Sequence, residues 1–137
     1  MSFLIDTDIL IYSIKGHETV NENFQLHKNE PKLLSVITFG ELVFGAKKSA
    51  KIEKNLARVR RISELFPIID VTSAIMETFG EYKALLSKKG IIIDDMDLLI
   101  AATAITHNLI LVTNNVRHFG LIKELEIHNW SKTQQLM

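Results

Sequence analysis

Two carboxylates one residue apart, Asp6 and Asp8, close a short apolar run, Phe3-Leu4-Ile5, before the chain turns apolar again at Ile9-Leu10. A buried strand that delivers acids to its carboxyl end has this form. Two further acids stand where similar elements begin: Glu41 after Leu33-Leu34-Ser35, and Asp97 ahead of the apolar run Leu98 to Ile105. Three ionised carboxylates in one cleft repel, and one takes up a proton unless a cation joins them. A hard divalent cation, Mg2+ or Mn2+, takes oxygen ligands and keeps several waters. Such a site can activate water and stabilise the charge of an in-line phosphoryl displacement. Asp6, Glu41 and Asp97 are therefore the candidate catalytic residues and metal ligands. An all-oxygen set without paired histidines points to phosphate or phosphodiester chemistry rather than zinc hydrolysis.

Each acid also has a structural reading. Thr7 or Asp8 fits the N-cap of a following helix, where a side-chain oxygen satisfies free backbone N–H groups. Thr38-x-x-Glu41 matches a capping box, in which Glu41 only satisfies a backbone donor. Asp94, Asp95 and Asp97 cluster before an apolar helix; Asp95 is the natural cap, leaving Asp97 to point elsewhere. Asp6 is the hardest to explain this way, because an acid abutting a buried strand needs a partner or an ion.

The elements that must position these acids alternate. Strands are expected at Phe3–Ile5, Leu33–Ser35, Ile68–Val71, Leu109–Val112 and around Ile127. Helices are expected from Thr7 or Asp8 to Gly16, Glu18 to Lys28, Val36 to Lys48, Lys51 to Phe66, Ala74 to Lys88, and Asp94 or Asp95 through Ile105. Gly16 and Gly90 follow helices as stops, and Pro67 breaks another. Alternation of this kind gives an α/β fold, a central parallel sheet with helices on both faces. In such sheets ligands bind beyond the carboxyl ends of the strands, where Asp6, Ser35 and Thr113 fall. The helix Leu98 to Ile105, apolar all round, belongs between layers. We expect one domain over residues 1–130 and a frayed polar tail over 131–137.

Composition narrows the function. The 137 residues carry 16 basic and 16 acidic side chains, so no bulk positive field announces a strong nucleic-acid binder. There is no cysteine, which excludes disulfides, zinc thiolates and thiol nucleophiles. No basic segment precedes an apolar core at the N-terminus, and no apolar run reaches the ~20 residues of a membrane helix. The expectation is a soluble cytoplasmic protein that contacts no membrane.

Lys47, Lys51, Lys54, Arg58 and Arg61 recur at steps of three and four, as one face of a helix would. They read either as a solvated face or as a phosphate track leading RNA to acids that would otherwise repel it. Arg117 and His118 follow Asn114-Asn115 closely enough to reach a phosphate. The five histidines show no metal-ligand spacing. The apolar stretches Tyr12 to Phe24 and Val36 to Phe44 are read either as core or as a groove for a partner.

Four segments in order, Leu4-Ile5-Asp6-Thr7-Asp8-Ile9-Leu10, Ser35-Val36-Ile37-Thr38-Phe39-Gly40-Glu41-Leu42, Asp97-Leu98-Leu99-Ile100-Ala101-Ala102-Thr103-Ala104 and Leu111-Val112-Thr113-Asn114-Asn115, resemble the PIN domain of VapC-type toxins. The resemblance implies a PIN-like Rossmannoid three-layer sandwich and a Mg2+-dependent endoribonuclease, with tRNA among the possible substrates. It implies a toxin neutralised by a VapB-type antitoxin, and a homodimer joined with antitoxin in a larger assembly that meets operator DNA only through the antitoxin. On this similarity Asp6, Glu41 and Asp97 take the three acidic positions, with Thr7, Asp8, Thr38, Thr113 and Asn115 as polar residues around them. Many such domains carry a fourth acid where this chain has Asn115, which weakens any second metal. Two rivals remain. A haloacid-dehalogenase-type phosphatase shares the apolar-Asp-x-Asp opening, but its threonine strand precedes its late acidic motif, and here Thr113 follows Asp94-Asp95. The other is a catalytically silent interaction domain of PIN fold.

Overall fold

The computed structural model describes residues 1–133. Five strands, β1 (Phe3–Ile5), β2 (Lys32–Ser35), β3 (Ile68–Ile69), β4 (Ile110–Val112) and β5 (Ile127–His128), form one sheet in the order β3-β2-β1-β4-β5. Every pairing is parallel. The helices are α1 (Thr7–Ile14), α2 (Glu18–Leu26), α3 (Val36–Lys47), α4 (Ile52–Leu65), α5 (Ser73–Lys88), α6 (Asp95–Thr106) and the short α7 (Val116–Phe119).

The pleat explains the layers. Successive side chains on a strand point to opposite faces. Phe3, Ile5, Ile110 and Val112 join one apolar cluster with Ile9, Val20, Leu42 and Val59, so α1 to α4 cover that face. Leu4 and Leu111 join the other cluster with Leu86, Leu98, Ile100 and Phe119, so α5 to α7 cover the opposite face. The expected three-layer α/β sandwich is the observed one. As its composition demanded, the body of α6 from Leu98 onward is enclosed, packing against α5, α3 and β4, while Met96 in its first turn stays exposed.

The chain moves outward from β1 to β2 to β3, then returns to lay β4 on the other side of β1. That reversal opens a crevice between the carboxyl ends of β1 and β4, where open α/β sheets bind ligands. Asp6 and Thr113 are the residues that follow these two strands.

Helix ends correct several expectations. Ser35 caps α3, its hydroxyl accepting from Ile37 N at 3.1 Å. Asp94, not Asp95, caps α6 by accepting from Met96 N at 3.1 Å. Asp95 instead pairs with Lys83 Nζ at 2.9 Å. Both choices follow from backbone: the residue just before the helix is extended, and only there can a side chain turn back onto the free N–H groups. Gly16 and Gly90 hold φ of 83° and 71° beyond α1 and α5, the left-handed conformation their places as stops required.

The C-terminal segment is tied in beyond the expected boundary at 130. Ser131 Oγ contacts Asn114 Oδ1 at 2.8 Å and Asn129 Oδ1 at 2.6 Å. Residues 134–137 of the expected tail lie outside the described residues. Trp130 is fully buried, with His27 stacked on it at 5.0 Å and Phe3 and Phe24 edge-on at 5.0 Å each. Its backbone carbonyl accepts from the buried Asn23 amide at 3.0 Å. Trp130→Ala is expected to lower unfolding free energy by ~3–5 kcal/mol in urea titration, and Trp130→Phe by clearly less. Equal midpoints for wild type and Trp130→Ala would remove Trp130 from the core.

Candidate active site

Asp6 does two jobs at once. Its N–H donates to Val112 O at 2.9 Å and so stitches the end of β1 to β4. Its Oδ1 accepts from Thr7 N at 2.8 Å, which makes Asp6 the N-cap of α1. The expected cap at Thr7 or Asp8 is therefore displaced by one residue, because Asp6 is the last extended residue. Its Oδ2 accepts from Thr113 Oγ1 at 2.8 Å. Burial, then the charge of Asp8, push the Asp6 carboxyl from 3.8 to about 7; the Thr113 and Thr7 bonds oppose this, and Asp97 adds to it.

Asp8 lies in the first turn of α1. Its Oδ2 accepts from Asn114 N at 3.1 Å, while Oδ1 is buried and has no hydrogen-bond partner among the described residues. Burial raises its pKa, the amides of Asn114 and Ile9 oppose, and Asp97 contributes repulsion. Asn114 is itself held on three sides. Its Nδ2 donates to Tyr12 Oη at 3.2 Å, and its Oδ1 accepts from Asn129 Nδ2 at 3.1 Å as well as from Ser131.

Glu41 is exposed on α3, and its Oε1 accepts from Thr7 Oγ1 at 2.7 Å. The capping-box reading thus fails: Ser35 is the cap, and Thr38 is fully buried with no partner for its hydroxyl among the described residues. Asp97 sits in the first turn of α6, its Oδ2 3.2 Å from His118 Nδ1. Burial raises its pKa most, the charge of His118 opposes, and Asp94 adds to the rise. Asn115 N donates to Thr113 Oγ1 at 3.0 Å, and its Nδ2 lies 3.3 Å from His118 Nδ1.

The structure therefore brings Asp6, Asp8 and Asp97 within mutual electrostatic reach at the crevice, with Glu41 tied to the same helix start through Thr7. Among the described residues, no three acids or histidines are gathered into a preformed metal cluster. The acids are held on hydroxyls and backbone amides instead. The chemistry of the donor set nonetheless fits a hard cation. It offers carboxylate oxygens, one of them, Asp8 Oδ1, buried and without a partner among the described residues, in a place where the hydrogen bonds only partly offset burial and mutual repulsion.

The basic residues divide between two helices. Lys47 ends α3, Lys51 precedes α4, and Lys54, Arg58 and Arg61 lie on α4, so the five do not share a single helix. Arg61 pairs with Glu64 at 3.2 Å. Arg58 and Glu41 both line an apolar groove of about 290 Å³ with Ile11, Ile14, Leu42 and Val59. Arg117 is exposed on α7.

The PIN domain model matches residues 3–124. The chain belongs to the PIN domain family. It is 37% identical to Ribonuclease VapC2 of Rickettsia felis over 134 residues, covering 96% of this chain and 100% of the relative. It is 33% identical to the tRNA(fMet)-specific endonuclease VapC of Shigella flexneri, covering 96% and 99%. The crystal structure of VapBC2 from Rickettsia felis, bound to a DNA fragment from their promoter, superposes with a TM-score of 0.88 at 36% identity, covering 95% of this chain and 99% of that one. These relatives set this PIN domain in the VapC branch, and the phosphatase alternative falls with that.

Within this PIN domain, sequence reasoning missed the contact of His118 with Asp97 and the hub at Asn114. Asp97 and His118 lie far apart in sequence, and nothing in the histidine spacing announces the pair. The doubled asparagine was the one available signal for Asn114.

An acid whose pKa is raised by folding keeps its proton in the native state between 3.8 and about 7, while the unfolded chain has lost it. Stability is thus highest below that window and falls as pH rises through it. In EDTA, Asp6→Asn is expected to stabilise the PIN domain at pH 8, by on the order of 2–4 kcal/mol, and to have little effect near pH 4. Melting curves at the two pH values check this; a destabilised variant at pH 8 would mean that the carboxylate is not under strain.

Proposed function

We propose that this VapC-family PIN domain is a metal-dependent endoribonuclease, the toxin of a toxin–antitoxin pair. The observation that supports this best is the meeting of Asp6, Asp8 and Asp97 at the crevice between β1 and β4. Asp6 and Asp97 hold Mg2+, or Mn2+ in its place, with Glu41 beside them. When bound, the cation supplies a Lewis acid for the phosphate and lowers the pKa of water. Thr113 and the Thr7 amide fix the two oxygens of Asp6, so its carboxylate cannot swing when the site fills. Thr7 holds Glu41 Oε1, which leaves Oε2 to accept the proton of a water attacking the phosphodiester. Asp8 adds negative charge from behind and is kept in place by Asn114. The expected products are a 5′-phosphate and a 3′-hydroxyl.

The substrate class we propose is structured RNA, tRNA first, since the Shigella relative is a tRNA(fMet)-specific endonuclease by name. Lys54, Arg58 and Arg61 on α4, with Lys47, Lys51 and Arg117, supply the phosphate contacts. Arg58 reaches the same groove as Glu41, which connects the basic helix with the acids. The proposed partner is a VapB-type antitoxin, in a homodimer and larger assembly that meets DNA through the antitoxin; relatives form VapBC complexes bound to DNA. Its seat is the apolar groove between α1, α3 and α4. Of the stretches read as a possible groove, Ile14 and Leu42 line it, while Tyr12 and Phe24 pack on the core.

Wild-type protein free of antitoxin is expected to cleave tRNA with Mg2+ and not with EDTA. Asp6→Asn and Asp97→Asn should each lose at least ~100-fold in rate. A folded wild-type chain that cleaves no RNA in a broad panel would favour the silent interaction domain. Replacing Lys54, Arg58 and Arg61 together by Gln should reduce the slope of log KM against log salt by ~2, at about 0.7 per single-strand phosphate contact. An unchanged slope would return these residues to an ordinary solvated face.

A further inference from the structure

We propose that Asn114 is a positioning residue of the crevice, and that the segment after β5, through Asn129 and Ser131, sets the turnover rate by holding it. The inference rests on the nuclease reading of the crevice and extends it to a part of the chain remote from the acids in sequence. Three observations carry it.

The first is that one short loop serves two neighbouring acids. Thr113 and Asn114 follow β4 directly. Thr113 Oγ1 donates to Asp6 Oδ2 at 2.8 Å, and Asn114 N donates to Asp8 Oδ2 at 3.1 Å. A displacement of this loop therefore moves a donor at each carboxylate at once. The two acids repel, and these donors help to hold their separation against that repulsion.

The second is where the loop is anchored. Asn114 grips α1 at two points: its N–H holds Asp8, and its Nδ2 donates to Tyr12 Oη at 3.2 Å. Asp8 and Tyr12 are four residues apart and so share one face of that helix, a turn from each other. The side-chain oxygen of Asn114 is taken by the segment after β5. It accepts from Asn129 Nδ2 at 3.1 Å and from Ser131 Oγ at 2.8 Å. The Asn129 side chain is itself fixed, because its Oδ1 accepts from Ser131 N at 2.9 Å. Both ends of the Asn114 amide are thus engaged, the nitrogen by α1 and the oxygen by the segment after β5.

The third is that this anchorage is separate from what holds the fold. Asn114, Asn129 and Ser131 are half-buried, and hydrogen bonds of that kind contribute modestly to stability. The segment is kept on the body of the protein by Trp130, fully buried against Phe3, Phe24 and His27. The polar residues on either side of so firmly held a side chain are free to serve the placing of Asn114.

Two measurements on the full chain test this together: amide hydrogen exchange by NMR without metal or RNA, and RNA cleavage with Mg2+. The variants are Asn114→Ala, Asn129→Ala with Ser131→Ala, and all three combined, each verified as folded by its melting curve. In the Asn129→Ala, Ser131→Ala protein the Asn114 N–H is expected to lose at least ~tenfold in protection, while the amides of β1 keep theirs. The kcat should fall ~tenfold in Asn114→Ala and at least ~threefold in Asn129→Ala, Ser131→Ala, with KM within about twofold, since these neutral side chains bring no charge to a phosphate. The combined variant should be no slower than Asn114→Ala, because the segment acts through that asparagine. Losses that add in the combined variant overturn the inference, as does an unchanged protection of the Asn114 N–H. A raised KM at constant kcat also overturns it, since the residues would then contact the RNA. Protection lost at unchanged kcat overturns it and leaves the nuclease reading standing. A wild-type chain that cleaves no RNA overturns the inference and that reading together.

Discussion

The repulsion between the buried carboxylate at the end of β1 and the half-buried ones beside it is the constraint around which this chain is arranged. Asp6 is 7% exposed and lies beside Asp8, with Asp97 across the crevice. Nearly everything placed around them donates a hydrogen: Thr7 N, Thr113 Oγ1 and Asn114 N. These donors lower the cost of the charge but do not cancel it, since Asp6 still titrates at about 7. The stability that tolerates such a cluster has to come from elsewhere. It comes from the two apolar faces of the sheet, where Phe3 and Ile5 on one side and Leu4 on the other are fully buried directly before Asp6. Strain and its compensation are therefore contiguous in sequence.

This contiguity is why so much was legible beforehand. An apolar triplet followed at once by an acid specifies both a buried strand and an acid at its end, and both readings came out as expected. Gly16 and Gly90 were equally direct, because a left-handed residue after a helix has few alternatives to glycine. What could not be read was which member of a polar pair did which task. The pattern Asp-Thr-Asp fits a cap at any of its three residues. The deciding quantity is the backbone, and Asp6 has ψ of 158° while Thr7 is already helical. Thr38-x-x-Glu41 failed similarly: Ser35 is the last extended residue, so α3 begins two residues before Thr38 and the motif falls inside the helix. His118 is harder still, since its neighbour Asp97 is reached only through the packing of α6 and α7 on the same face of the sheet.

The groove between α1, α3 and α4 joins two parts of the proposed function. Glu41 and Arg58 line it together, one a carboxylate of the site and the other a cation of the basic helix. A chain with zero net charge offers a polyanion no general attraction, so on the proposed function local cations such as Arg58 would do the steering. A partner segment seated in this groove would cover both kinds of group at once. Substrate approach and partner binding then compete for the same few residues, and a neutralising partner needs no conformational change in the toxin to act.

The C-terminal segment shows how far the site's support extends. Asp8 depends on the amide of Asn114, and Asn114 depends in turn on Tyr12, Asn129 and Ser131. The last of these come after β5, beside a tryptophan locked into the core. A backbone N–H can hold a carboxylate only if its own peptide is fixed, and the Asn114 side chain fixes it from three directions. Residues 129–131 therefore act on Asp8 across most of the length of the sequence, through a single asparagine. The doubled asparagine after β4 divides its labour accordingly: Asn114 turns toward the body of the protein and holds Asp8, while Asn115 turns toward His118 and the crevice.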